Sequence, residues 1–378
     1  MSTSKERIYL VSNEPEAVGG VQRVVSALAS GFQDAGFEVW VVGVRRTAKK
    51  SPLTQARAHY LYPFALGEVF IRLFPRLAIR GYSLERLNLL GQWMFAARLR
   101  RQLLRSPGNV VAMDVFAAQL VARTPRSLQH ARVMQFHNSF DAVNGTRDLK
   151  RITKTAPNFD TFLALTALDA DQFRQVVPGT VGYMRNPSPF GRIAQRPRPR
   201  ERVALVVGRL VPNKRVDLAI EAWSMVAGHV RDGWKLEIVG DGPARPELAA
   251  QIRLLKLESS VTLRGSIDDV ESIMRDAALL VLASDYEGQP MVLLEAMSQG
   301  VACIATNSAP GVAELLANHA GVLVSLDSAK DIAAAMEMLM DDDMLRSQVA
   351  EAGLASLSEF ELAAVVERWR KLLHSGRE

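Results

Sequence analysis

The stretch "YEGQPMVLLEAMSQG" (286–300) places two carboxylates, Glu287 and Glu295, on either side of seven uncharged residues, with Pro290 among them. An apolar run, "ALLVLAS", ends just before it. Proline's fixed φ suits the first position of a helix, so the spacing predicts a helix beginning at Pro290. The amides of Met291 and Val292 would point out of that helix start, and Glu295, three and four residues on, would share their face. A carboxylate accepts hydrogen bonds and repels phosphate. The pair therefore suits hydroxyls, such as those of a sugar and a ribose.

Cations stand elsewhere. Arg209 and Lys214 follow the run "VALVVG" within six residues. A guanidinium fork and an ammonium point charge just past a strand suit a diphosphate; a solvated loop with incidental charge is the plainer reading. Gly19 and Gly20 separate a strand-like "IYLVS" from a helix starting near Val21. They either serve a tight turn or let the backbone approach an anion at the helix start. His137 ends "RVMQFH", as a structural histidine or as a partner for a sugar-like hydroxyl, with Asp114 placed to help fix it. "IVGDGPARPEL" has Gly240 and Gly242 of a dinucleotide fingerprint, but Arg245 stands where the third glycine belongs, so a tight turn is expected. Neither a Ser–His–Asp order nor an H-E-x-x-H spacing occurs, and the acidic "MDDDM" (340–344) reads as a solvated loop. No cofactor is expected, and no metal to hold a diphosphate; that work falls to Arg209, Lys214 and helix amides.

These residues need a frame, and the chain supplies one twice. Strand-like runs occur at 8–12, 38–44, 110–114, 132–137 and 161–166, then at 203–209, 235–240, 261–265, 278–284, 301–306 and 321–325. Short Val/Ile/Leu runs separated by amphipathic segments read as buried parallel strands with crossover helices. The proline-rich "NPSPFGRIAQRPRPRER" (186–202) has neither period and reads as a linker. The pattern predicts an α/β protein of two facing doubly wound domains, 1–188 and 203–358, joined through 189–202. Ligands of such sheets bind beyond the carboxyl ends of the strands.

Composition narrows the class. The 378 residues are 48% hydrophobic and 23% charged, as in ordinary globular chains. A single cysteine, Cys303, rules out a disulfide framework and reads as a small buried hydrophobe. No apolar run is long enough to span a bilayer and no secretory leader is visible, so cytoplasm is the expected location. Charge is lopsided: residues 1–185 hold 25 Lys/Arg against 13 Asp/Glu, and the remainder 21 against 27. Arginines concentrate between 69 and 105, on a helical pattern with Ser83 as a plausible N-cap. Those helices either cover the first core or dock on anionic lipid or a polyanionic acceptor. Nucleic acid is not expected, since no aromatics interleave with the basic residues on a strand platform.

Together, "GGVQR", "FHN", "VGRLVPNKRVD", "LEIVGDGP", "VTLRGSIDDVESIM" and "DYEGQPMVLLEAMSQGVACIAT" resemble the retaining GT-B glycosyltransferases of the "glycosyl transferases group 1" family. The resemblance runs over nearly the whole chain and is densest in 203–325. It implies a GT-B fold with an interdomain cleft, a nucleotide-sugar donor with UDP the commonest nucleotide, and transfer with retention. It assigns Glu287 to the donor sugar's hydroxyls, Glu295 to the ribose, and Arg209 and Lys214 to the leaving diphosphate. Gly19, Gly20 and the amides of Gly288, Gln289, Pro290, Met291 and Val292 fall at the donor, the proline contributing only its backbone position. His137 would hold the transferred sugar, and Arg264 to Ile267 would line the base. The segment 359–378 resembles the family's last helix, crossing back to the first domain. Members often carry Gly-Phe-Gly or Gly-Phe-Pro after the first glutamate, whereas this chain has Gly288-Gln289-Pro290, which obscures the donor sugar.

The expected activity is hexosyl transfer to a glycan, polymer or lipid-linked acceptor in cell-surface glycan synthesis, with residues 69–105 able to reach an anionic inner membrane face. A catalytically silent nucleotide-sugar-binding scaffold of the same fold is the alternative. An NAD-dependent oxidoreductase is disfavoured by the broken glycine fingerprint.

Overall fold

A computed structural model describes residues 6–17, 19–44, 58–60, 84–193 and 200–375. Its contacts divide the chain into two units, Met1–Pro187 with Leu362–Glu378, and Ser188–Glu361.

The first unit holds β1 (Arg7–Ser12), β2 (Glu38–Gly43), β3 (Ala58–Tyr60), β4 (Gly108–Ala112), β5 (Gln129–Gln135), β6 (Thr161–Ala164) and β7 (Val181–Tyr183). They form one parallel sheet in the order β3-β2-β1-β4-β5-β6-β7. Its helices are α1 (Gly20–Asp34), α2 (Leu84–Arg105), α3 (Val115–Val121), α4 (Arg147–Thr155) and α5 (Ala167–Arg174). The second unit holds β8 (Glu201–Val207), β9 (Lys235–Val239), β10 (Val261–Gly265), β11 (Ala277–Leu282), β12 (Ala302–Thr306) and β13 (Val322–Val324). These also run parallel, in the order β10-β9-β8-β11-β12-β13. Around them lie α6 (Val216–Met225), α7 (Gly228–Arg231), α8 (Arg245–Leu254), α9 (Val270–Asp276), α10 (Met291–Ser298), α11 (Pro310–Leu315), α12 (Ala329–Asp341) and α13 (Asp343–Ala355). The α/β expectation is borne out.

Parallel strands covered on both faces by helices must be apolar throughout, and β4, β11 and β12 are buried at every residue. All eleven predicted runs are strands, most of them displaced by one to three residues at an end. The prediction missed β3 and β7, three-residue edge strands too short to carry a pattern. Local chemistry sets the helix starts: Thr166 caps α5 by accepting from the Asp169 amide at 3.0 Å, and Ser328 caps α12 by accepting from the Asp331 amide at 3.1 Å. One expectation shifts. Pro290 is the extended N-cap of α10 (φ −69°, ψ 114°), not its first helical residue, because that ψ lies outside the helical range.

A last helix, α14 (Leu362–Ser375), belongs to the first unit, where it packs along α1 and sets Trp369 edge-on to Phe32 with ring centroids 6.3 Å apart. In each sheet the strand order reverses once, between β1 and β4 and between β8 and β11. A crevice opens at such a reversal because successive crossovers leave on opposite faces. Residues 69–83 of the arginine-rich segment, Ser83 among them, and residues 194–199 of the expected linker lie outside the described residues.

Candidate functional site

In the second unit, the loops after β8 and β11 emerge side by side because those strands pair directly. The first loop ends in a 3-10 turn, Pro212–Lys214, and the second carries Asp285 to Pro290. Lys214 Nζ donates to Glu287 Oε1 at 2.5 Å, and Ser284 Oγ donates to the same oxygen at 2.7 Å. Ser284 is itself held from behind: its carbonyl accepts from Thr306 Oγ1 at 2.7 Å, on neighbouring β12. The Asp285 amide donates to the Asn213 carbonyl at 2.9 Å, a backbone link between the two loops. The two glutamates differ sharply. Glu295 is fully buried one turn inside α10, whereas the Glu287 side chain keeps 11% exposure at the crevice.

Arg209 is exposed on the β8 loop. That loop is laced to the β9 loop: Gly208 N donates to Val239 O, Leu210 N to Asp241 O, and Ala244 N to Leu210 O, each at 3.0 Å. The "GDG" turn makes the lacing possible. Gly240 has φ +141°, and a Cβ there would fall 1.8 Å from Gly208 O. The broken fingerprint is therefore a backbone joint, and Arg245, at the vacant glycine position, donates to Leu263 O at 3.0 Å. The Gly288-Gln289 turn has a similar support, since a Cβ on Gly311 would meet Gly288 O at 2.2 Å. Arg264 is exposed on edge strand β10 and pairs with Glu237 at 2.8 Å, and Ile267 follows it half-buried.

The remaining candidates lie in the first unit. Gly19 is the extended N-cap of α1 and Gly20 its exposed first residue. His137 stands two residues past β5, both ring nitrogens sealed from solvent. Burial pushes its pKa down to about 4, opposed by the Asn186 side chain. The expected support from Asp114 is absent. Asp114 instead caps α3 through the Ala117 amide (2.8 Å) and accepts from the Asn13 amide (2.7 Å) and Ser12 Oγ (3.2 Å), because β4 neighbours β1 as well as β5. Its carboxyl is raised by burial, with those bonds pulling the other way. The loop after His137 is anchored by Asp169, which accepts from the Phe140 amide at 2.8 Å and from Thr166 Oγ1 at 2.6 Å. Cys303 is buried and its thiol pushed up to about 12, which leaves it unreactive.

At the reversal of the first sheet, a cavity of about 840 Å³ opens beyond β1 and β4, lined by Ser12, Gln22, Phe116, Gln119, Arg151 and Lys154 among others. Of its lining the sequence singled out Asp114 alone, and for another role, since the lining comes from four separate segments. Likewise Ser284, Thr306 and Asn213 escaped notice: each acts through a contact formed only when β8, β11 and β12 assemble.

Residues 191–355 match the family model described as "Glycosyl transferases group 1". That stretch is similar to the group 1 glycosyl transferase domain, and the match covers less than half of the chain. Every second-unit candidate, from Arg209 to Glu295, lies inside that stretch. Over 175 residues the chain is 29% identical to a Campylobacter jejuni alpha-1,4-N-acetyl-D-galactosaminyltransferase whose name specifies a PP-undecaprenol-linked acceptor, covering 46% of this chain and 48% of that protein. It is 30% identical over 170 residues to the amylovoran biosynthesis glycosyltransferase AmsD of Erwinia amylovora, covering 45% and 47%. The chain thus spans about half the length of the curated relatives it matches. The solved structure of S. aureus TarM with UDP, fondaparinux and alpha-GlcNAc-glycerol superposes with a TM-score of 0.80 at 14% identity, over 97% of this chain and 99% of that one. That likeness extends the GT-B fold beyond the matched stretch to the first unit.

Proposed function

We propose that the protein is a retaining hexosyltransferase that uses a nucleoside diphosphate sugar, with UDP as the nucleotide, and builds a cell-surface glycan, glycopolymer or glycolipid. The observation that carries this reading is the Lys214–Glu287 pair at the strand-order reversal of the second unit, inside the matched stretch. A cation and a hydroxyl acceptor in contact suit the junction between a diphosphate and its sugar. Arg209 and Lys214 take the charge of the leaving diphosphate, together with the first amides of α10. With the charge so neutralised, turnover is independent of a bound metal. Glu287 holds the sugar hydroxyls, Glu295 the ribose, and the Arg264–Ile267 segment the base.

The acceptor hydroxyl attacks the anomeric carbon on the face the diphosphate leaves; the new carbon–oxygen bond replaces the carbon–phosphate-oxygen bond, and the departing phosphate takes the proton. The cavity at the first sheet's reversal receives the acceptor, since its amide, carboxylate and ammonium groups match a polyhydroxylated or phosphorylated molecule. Among the described residues no helix is long and apolar enough to cross a membrane. Attachment is peripheral in this reading, at the inner face of the membrane, through the Trp93- and arginine-bearing face of α2. The deciding experiment screens nucleotide sugars by thermal shift and then assays donor turnover with and without EDTA. A UDP-sugar should raise the melting temperature and be consumed equally in both; a donor that binds and is never turned over would leave a silent scaffold instead.

A further inference from the structure

Arg215, the residue after Lys214, has φ 44° and ψ 44°, a left-handed backbone that residues with a side chain rarely adopt. Such a conformation persists only where its surroundings impose it. Here the side chain does so. Its Nη1 donates to Asp327 Oδ1 at 2.6 Å and to Asp285 Oδ1 at 3.0 Å, and its Nε donates to Asp217 Oδ2 at 3.3 Å. Asp285 lies two residues before Glu287, and its amide already donates to Asn213. The Lys214 turn and the Glu287 loop are therefore joined by three links: the Lys214–Glu287 pair itself, the backbone bond and the guanidinium. The three carboxylates are between 44% and 73% exposed, so these pairs add little to global stability. A strained residue whose bonds stabilise the fold so little is better understood by what it aligns.

We propose that Arg215 is a positioning residue that fixes the Lys214 turn against the Glu287 loop, so that ammonium and carboxylate meet a donor already in register. Its consequence for turnover rests on the function proposed above. Arg215→Gly relieves the backbone strain while removing the clamp, which separates alignment from stability. Three measurements on Arg215→Gly, Arg215→Ala and Arg215→Lys decide the matter: thermal melting, amide hydrogen exchange over 285–288, and donor kinetics. In Arg215→Gly, melting should stay at or above wild type while exchange in 285–288 quickens about fivefold or more. Donor kcat/KM should drop about tenfold, with Arg215→Lys recovering part of the loss. Wild-type exchange in both Arg215→Gly and Arg215→Ala would overturn the proposal, as would a loosened loop with unchanged donor kinetics. If the wild-type chain turns over no nucleotide sugar, the glycosyltransferase reading falls, and the exchange comparison still decides the clamp.

Discussion

Lys214 Nζ and Glu287 Oε1 stand 2.5 Å apart, joining loops 73 residues distant in the chain. With side-chain exposures of 24% and 11%, neither partner is freely solvated, so deleting one leaves a poorly hydrated charge. Lys214→Ala should cost about 1–3 kcal/mol of stability and lower donor turnover on the order of a hundredfold. The double variant Lys214→Met with Glu287→Gln should regain most of the stability and none of the turnover. Urea melts and donor kinetics around this double-mutant cycle check both halves.

His137 makes acid the weak side of the first unit. Its folded pKa, about 4, lies below the ordinary value of 6.5, so the fold favours the neutral ring. That contribution is complete above pH 6.5 and is lost as the pH falls through 4. It amounts to about 3 kcal/mol. Melting curves between pH 7 and 4 should therefore flatten in His137→Asn relative to wild type. A parallel slope in the two would contradict the buried neutral ring.

In the proposed reading the first-sheet cavity takes the acceptor, and its lining can be changed on its own. Gln119→Leu and Lys154→Ala each alter its lining, and both residues belong to the first unit. Each should raise the acceptor KM about tenfold, the worth of one lost polar contact. Donor hydrolysis without acceptor should keep its wild-type rate.

On α2, Trp93 is 60% and Leu104 57% exposed, beside exposed Arg98, Arg100, Arg101 and Arg105. Arg123 stacks over the Trp93 ring at 5.4 Å. Co-sedimentation with phosphatidylserine vesicles should fall with added salt and with Arg98→Glu plus Arg101→Glu, each arginine being worth about 1 kcal/mol near the surface. Trp93→Ala should weaken what remains at high salt. Binding indifferent to both changes would place the contact elsewhere.

Gly240→Ala should be among the most damaging single-methyl changes in the second unit. The methyl would drive into Gly208 O, and the residue would keep φ +141°. A cost above about 2 kcal/mol is expected, with donor affinity falling because Arg209 rides on the displaced loop. A urea melt matching wild type would show that the two loops yield.

The strands were legible because a sheet covered on both faces demands unbroken Val/Ile/Leu runs, and those runs are visible without any partner. The site was legible only by type. Glu287 and Lys214 could be named as a hydroxyl acceptor and a cation, yet their contact depends on β8 lying beside β11, which no local pattern states. Arg215 is more opaque still. Its role follows from one backbone angle and three carboxylates, at positions 217, 285 and 327. Asp114 shows the opposite hazard: ending a strand next to that of His137 suggested a partnership, but the carboxylate turns toward β1 and a cap.

Helix α14 closes the first unit against Phe32 only after the whole of Ser188–Glu361 has intervened in the chain. On a ribosome, the second unit is thus synthesised in full while the first still lacks its last layer. Until then the α1 face around Phe32 waits uncovered, open to chaperones or to a neighbouring chain's α14. The order in which the two units mature is the reverse of the order in which they begin.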